Sequence, residues 1–214
     1  MRARATLQTV EKVPVSIKQF AVSTSRRQLL QFSGTGIAMA VLGITIPRMA
    51  DAADTAAPVD ISQKIIIGKK VGKDDWPQYV PANLTLPAKR LIRVTVRCYD
   101  DGPADIPTGY NIVRGTVDGT IRVIKGTAED ISSKDGTVVK QIGFKDTAHT
   151  FTVNGDNFFM NIPVPPLSTV VYEFMTPVAG SYPWQCMAAC GTGDGGWAGA
   201  MATDGWMQGT ITIT

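Results

Sequence analysis

Histidine is nearly absent from this chain of 214 residues: there is one, His149, and the cysteines number three, Cys98, Cys186 and Cys190. A Ser-His-Asp triad or a multi-histidine metal site has little material to draw on. An excess of one charge is also lacking. The net charge is +3, but residues 1–52 hold seven Lys/Arg and two Asp/Glu, which leaves 14 basic and 16 acidic residues in 53–214 and a net charge of −2 there. The basic character belongs to the N-terminus, and nucleic-acid binding loses its main support. No membrane-length apolar run stands out; the stretch from Gly36 to Ile46 is about half of the roughly 20 residues a span needs. There is no Gly-x-Ser-x-Gly, no Walker loop and no dinucleotide fingerprint, so no enzyme motif is present. Paired acids such as Asp74-Asp75 and Asp100-Asp101 are sequence neighbours that point apart on an extended chain. They read as turn formers rather than an acid/base pair.

What is present is punctuation. With 21 Gly, 13 Pro and 7% aromatics in a chain that is 44% hydrophobic, short strands and turns are favoured over long helices, and a globular core over disorder. The N-terminus reads as an address. Arg26-Arg27 precedes the weakly apolar Gly36–Ile46, and Ala50-Asp51-Ala52 has the small-x-small form that signal peptidase accepts. The twin arginine resembles a Tat leader, which exports folded proteins. The expected organisation is a signal peptide over 1–52, a tether over 53–60 and one domain over 61–214. The mature chain would begin at Ala53 in the periplasm or another extracytoplasmic space, with no stable membrane span after cleavage.

Within 61–214, apolar runs alternate with turn signals. Ile92, Val94, Val96 and Cys98 fall on one face of a strand over Leu91–Cys98, with Arg93, Thr95 and Arg97 on the other. Further strands are expected at Lys64–Ile67, Thr137–Ile142, Ala148–Val153, Thr169–Thr176, Tyr182–Cys186 and Gly209–Thr214. A hairpin is expected over Thr116–Ile124, and Tyr99 to Asp135 is expected to lie outside the core strands. No useful length of helical periodicity is visible. The fold class is all-β, a sandwich or barrel, with seven or eight strands expected.

The chemistry-bearing residues gather toward the C-terminus. Alternation places His149 with Phe151 and Val153, and Cys186 with Tyr182 and Trp184. Cys186 opens a Gly-rich loop, Cys186-Met187-Ala188-Ala189-Cys190-Gly191-Thr192-Gly193-Asp194-Gly195-Gly196-Trp197, which closes at Trp206-Met207 before the last strand. Thiolate and thioether are soft ligands that favour copper, and imidazole suits both of its oxidation states. From the residues alone three outcomes stay open for the cysteines: metal ligation, a Cys186–Cys190 disulfide, or a zinc site completed by an Asp. Cys98 reads as a buried thiol, Met187 and Met201 as filler, Asp194 and Asp204 as solvated loop residues. Trp184, Trp197 and Trp206 read either as packing or as a cover over a metal.

Three segments carry a family resemblance. Ala148-His149-Thr150-Phe151 resembles the first-histidine strand of the cupredoxins, and Gly205-Trp206-Met207-Gln208-Gly209-Thr210-Ile211 their axial-methionine segment. Cys186-x-x-x-Cys190-Gly191 is similar to the dinuclear copper loop of cytochrome c oxidase subunit II. The resemblance covers roughly residues 80–214. It implies a Greek-key β-sandwich, a copper site at one pole with His149, Cys186, Cys190 and Met207 as ligands, and electron transfer with a redox protein partner, a cytochrome or oxidase. The departures are specific: Asp194 and Trp197 stand where the oxidase loop has His and Met, and no second His lies between Cys186 and Met207. Besides electron transfer, Cu(I) delivery and a metal-free accessory domain are the readings these residues allow.

Overall fold

The computed structural model describes residues 57–68, 76–130, 132 and 135–214. The expected leader over 1–52 and the first part of the tether lie outside the described residues. Eleven strands are present among those described: β1 (Val59–Ile66), β2 (Gln78–Val80), β3 (Leu84–Leu86), β4 (Leu91–Cys98), β5 (Ile121–Lys125), β6 (Thr137–Val139), β7 (His149–Gly155), β8 (Phe158–Val164), β9 (Ser168–Met175), β10 (Gly180–Gln185) and β11 (Gln208–Ile213). Short 3₁₀ turns are the only helical segments among the described residues. None is long and apolar enough to cross a membrane.

The strands form two sheets, one in the order β2-β1-β4-β9-β5-β6 and the other in the order β3-β11-β10-β7-β8. β1 runs parallel to β4, and β4 antiparallel to β9 along its whole length, from Leu91↔Met175 to Cys98↔Ser168. The chain crosses from β8 to β9 in the other sheet and back to β10, which returns beside β7. That return is a Greek-key connection. The protein is therefore an all-β sandwich, as its alternating pattern implied.

The sheets bury their facing sides against each other. Ile92, Val94, Val96 and Cys98 of β4 are inaccessible, as are Phe151, Val153, Met160, Ile162 and Ile211 of the opposite sheet. Aromatic rings bridge the layers: Tyr79 of β2 meets Phe151 and Trp184 edge-on, at ring separations of 5.7 and 4.9 Å, and Phe151 stacks on Trp184 at 4.4 Å. Such pairs contribute about 0.5–1.5 kcal/mol each beyond their buried area.

Several expectations need correction. β1 starts at Val59, inside the segment read as tether, because its first half alternates half-buried and exposed residues rather than forming an apolar run. The segment Tyr99–Asp135 is not external to the sheets. β5 pairs with both β9 and β6, and no Thr116–Ile124 hairpin forms. Ile106 and Val113 of the same segment enter the core. The eleven strands exceed the seven or eight expected. β8 escaped notice because Phe158–Val164 is apolar nearly throughout and contains Pro163. It is an edge strand, where a missing N–H is tolerated. The bridge Arg114↔Asn161 pairs along its free edge, and six of its seven residues are buried, which removes the alternation.

Candidate metal centre

One pole of the sandwich collects the end of β4, the start of β7, the end of β10 and the start of β11. His149 opens β7 and is fully enclosed. Its Nε2 lies 3.0 Å from Asp100 Oδ2. Asp100 sits two residues past β4, where its carbonyl accepts the Leu167 amide at 2.9 Å and its Oδ1 accepts the Gly102 amide at 3.1 Å. Both carboxylate oxygens are thus engaged. With Nε2–H donating to Asp100, the lone pair belongs to Nδ1, and Nδ1 is buried without a hydrogen-bond partner. Burial disfavours charge on this imidazole, but the hydrogen bond to Asp100 and the negative charge of the nearby Cys186 sulfur outweigh it and raise its pKa to about 9.

Cys186 immediately follows β10. Its amide donates to the Met207 carbonyl at 2.8 Å, continuing the β10–β11 ladder, and its Sγ accepts the Thr150 amide at 3.3 Å. Four residues on, the chain has doubled back and Cys190 Sγ stands 3.6 Å from Cys186 Sγ. Both are free thiols, as is the buried Cys98. Ligand atoms of His149, Cys186 and Cys190 all lie within 4.8 Å of one another, and no other such cluster of His, Cys, Asp or Glu occurs among the described residues. Burial works against ionising Cys186, yet the hydrogen bonds from Cys190 and the Thr150 amide and the charge of the nearby His149 hold its thiol well below the usual range. Cys190 moves the opposite way, because its hydrogen bond to Cys186, its burial and the charge on that neighbour all favour the protonated thiol. A cavity of about 530 Å³ opens beside Cys190 and His149, with Asp100, Asp101 and Asp105 in its wall.

A buried hydrogen-bond ladder backs the loop. The Met187 amide donates to Thr150 Oγ1 at 2.7 Å, Thr150 and Thr152 hydroxyls meet at 2.9 Å, and Thr152 donates to Asn161 Oδ1 at 2.8 Å. Asn161 Nδ2 then donates to the carbonyls of Tyr110 and Ile112, at 2.9 and 2.7 Å. These partners satisfy the buried polar groups on the outer side of β7 and tie the Tyr99–Thr120 region to the cysteine loop.

Of the residues singled out in sequence, His149, Cys186 and Cys190 converge. Met207 is fully buried next to Cys186 through the backbone contact above. Met201, read as filler, places its Sδ 3.4 Å from Cys190 Sγ. Asp100, read as a turn former, is the acid that reaches His149. Asp194 and Asp204 are exposed and absent from the cluster. Trp184 is a core residue whose Nε1 donates to the Ala82 carbonyl at 2.7 Å. Trp206 packs edge-on against Trp76, and Trp197 is exposed. Asp100 had no signal in the linear sequence, being 49 residues from its partner. The Thr150/Thr152 pair had one: two hydroxyls on the strand face opposite Phe151.

No family model matches the chain, and no curated protein sequence matches it. Solved structures do align. Dithionite-reduced auracyanin from Roseiflexus castenholzii is 17% identical over 74% of this chain and 99% of its own, with a TM-score of 0.35. Auracyanin A, a "blue" copper protein from Chloroflexus aurantiacus, is 12% identical over 74% of this chain and 100% of its own, TM-score 0.35. Rusticyanin from Thiobacillus ferrooxidans is 13% identical over 75% and 79%, TM-score 0.31. At these values the sandwich assignment rests on the sheet order and register described above.

Proposed function

We propose that His149, Cys186 and Cys190, with Met207, hold copper, and that the protein is an exported electron carrier rather than an enzyme. The observation that carries this reading is the buried, unpartnered Nδ1 of His149, whose ring is oriented by Asp100 and which faces two thiols. An imidazole nitrogen with its other nitrogen on a carboxylate is the usual arrangement of a metal-bound histidine. The donors present are soft, which selects copper over harder ions. Copper, when bound, supplies one-electron chemistry between its two oxidation states.

The chain's own residues supply the rest. Asp100 fixes the tautomer and plane of His149. The Thr150 amide donates to Cys186 Sγ and stabilises its thiolate. The Thr150–Thr152–Asn161 ladder holds the start of the cysteine loop, so little of the surroundings moves when charge does. The cavity beside Cys190 gives a partner its approach. The twin-arginine leader supports export, and export supports a role beside a cytochrome or oxidase of a respiratory chain.

Titration of the reduced mature protein with Cu(I), with thiols counted before and after, tests the site. The expected result is copper uptake with loss of titratable thiols at Cys186 and Cys190, both abolished in Cys186→Ser. A fully reduced protein that takes up no copper overturns the reading. Export is tested separately: precursor should accumulate in the cytoplasm when Arg26 and Arg27 are both replaced by Lys.

A further inference from the structure

We propose that Met201 is a thioether donor to the same metal, on the Cys190 side of the cluster; this rests on the copper reading above. Three contacts aim its sulfur. The Met201 amide donates to the Ala198 carbonyl at 3.4 Å, its carbonyl accepts Gln185 Nε2 at 3.4 Å, and its Sδ stands 3.4 Å from Cys190 Sγ. The side chain is 1% exposed, so the thioether is committed to the interior of the pole.

Gly191 makes this approach possible. A Cβ at that position would run into the Ala198 carbonyl and come within 2.8 Å of Met201 Cγ. The loop is further laced by Gly191 N to Gly196 O at 2.8 Å, and by the Thr192↔Ala198 bridge. The glycine after Cys190 thus lets the returning 3₁₀ turn at Gly199–Ala202 bring Met201 against the thiol.

The chemistry of metal uptake turns that contact into ligation. The Cys190 and Met201 sulfurs are already in contact, 3.4 Å apart. Binding of a soft cation releases the thiol proton to solvent. Two sulfur lone pairs are then left facing each other, a repulsive arrangement that a cation between them makes attractive. Beside His149, Cys186, Cys190 and Met207, Met201 offsets the missing second histidine by a further thioether donor, and a sulfur-rich set favours Cu(I).

The test uses the mature protein with its methionines replaced by selenomethionine, loaded with Cu(I), as wild type, Met201→Leu and Met207→Leu. Leu conserves the volume of a buried Met, so the fold survives the exchange. X-ray absorption at the copper edge is expected to show Cu–Se scattering in the wild type that persists in Met207→Leu and is diminished in Met201→Leu. Cu(I) affinity, measured by competition with a chromophoric chelator, is expected to fall by about ten-fold in Met201→Leu. Copper bound with Cu–Se scattering and affinity unaltered in Met201→Leu overturns the assignment while leaving the copper site standing. Absence of copper from the reduced wild type overturns both.

Discussion

β4 and β7 occupy the interior of opposite sheets, yet they treat their outer faces differently. β4 alternates: Ile92, Val94 and Val96 are buried, while Leu91, Arg93 and Thr95 between them are only half-covered. β7 does not alternate, and its first five residues are all buried. The difference lies in what crosses each strand. Residues 110–114 pack against Asn161 of the neighbouring β8, and Thr150 and Thr152 are enclosed and need partners, which Asn161 and the Met187 amide provide. Beyond the outer face of β4 only Arg97, at its last turn, is similarly enclosed, with its guanidinium on the Ala128 and Glu129 carbonyls and Ser62 Oγ. A sheet face that touches solvent tolerates change; a polar face under a second layer becomes part of the machinery beneath it. Here that machinery is the cysteine loop.

The sharpest way to break the comparison is at Asn161. Asn161→Ala removes the donor to two carbonyls and strands the buried Thr152 hydroxyl, and should cost about 2–4 kcal/mol in urea-unfolding free energy. Thr95→Ala, on the outer face of β4, should change it by less than about 0.5 kcal/mol. Equal effects at the two positions would show that the second layer over β7 adds nothing.

Two glycines extend the contrast to loops. Gly191→Ala forces a methyl into the Ala198 carbonyl and should cost about 1–3 kcal/mol. Gly126, with φ +84, has nothing within 4 Å of the added carbon. Its replacement by Ala should cost only the left-handed strain of about 1 kcal/mol, in the same unfolding assay. The two costs should differ in kind as well: only Gly191→Ala is expected to weaken Cu(I) binding.

The shared core beneath both strands has a pH signature. Burial pushes the Cys98 thiol up to about 12, and pushes the Tyr79 and Tyr172 hydroxyls up as well. Each group stays protonated in the folded state after its unfolded counterpart has ionised. Their contribution is therefore fully present below the unfolded thiol value of 9.0 and is lost as pH rises from there toward 12. The urea midpoint should fall steadily above about pH 9, and Cys98→Ala should make that fall shallower. An unchanged slope in Cys98→Ala would assign the loss to the tyrosines alone.

The smallest effect is expected on the outer face of β4 and its neighbour. Arg93 Nε and Glu173 Oε1 are 2.7 Å apart, but both side chains remain substantially exposed. Glu173→Gln should cost about 0.5 kcal/mol or less, and high salt should erase the difference.

The pattern on β4 was legible in full, because period-2 alternation is written wherever one face of a strand meets solvent. β8 was not legible: burial on both sides removes the alternation, and Pro163 argues against a strand until its edge position is known. β5 was hidden for another reason. Ile121–Lys125 is a short run amid turn signals, and its partners β6 and β9 lie 12 or more residues away or beyond two other strands. At the pole, His149, Cys186 and Cys190 stood out because reactive side chains are scarce in this chain and their types name a chemistry. Asp100 and Met201 did not, since an Asp in a turn and a Met in a loop are ordinary until something is placed against them.

Composition and periodicity by themselves determined that the domain is all-β, which residues of β4 face inward, and that no metal could draw on more than one imidazole and three thiols. Those properties are local: they depend on residue type and on the two-residue repeat of an extended chain. Tertiary structure alone decided which nitrogen of His149 is left free, which thioether meets Cys190, and that Tyr110 and Ile112 meet Asn161 of β8. Each of these joins residues distant along the chain, and only the closing of the two sheets brings them within reach of one another.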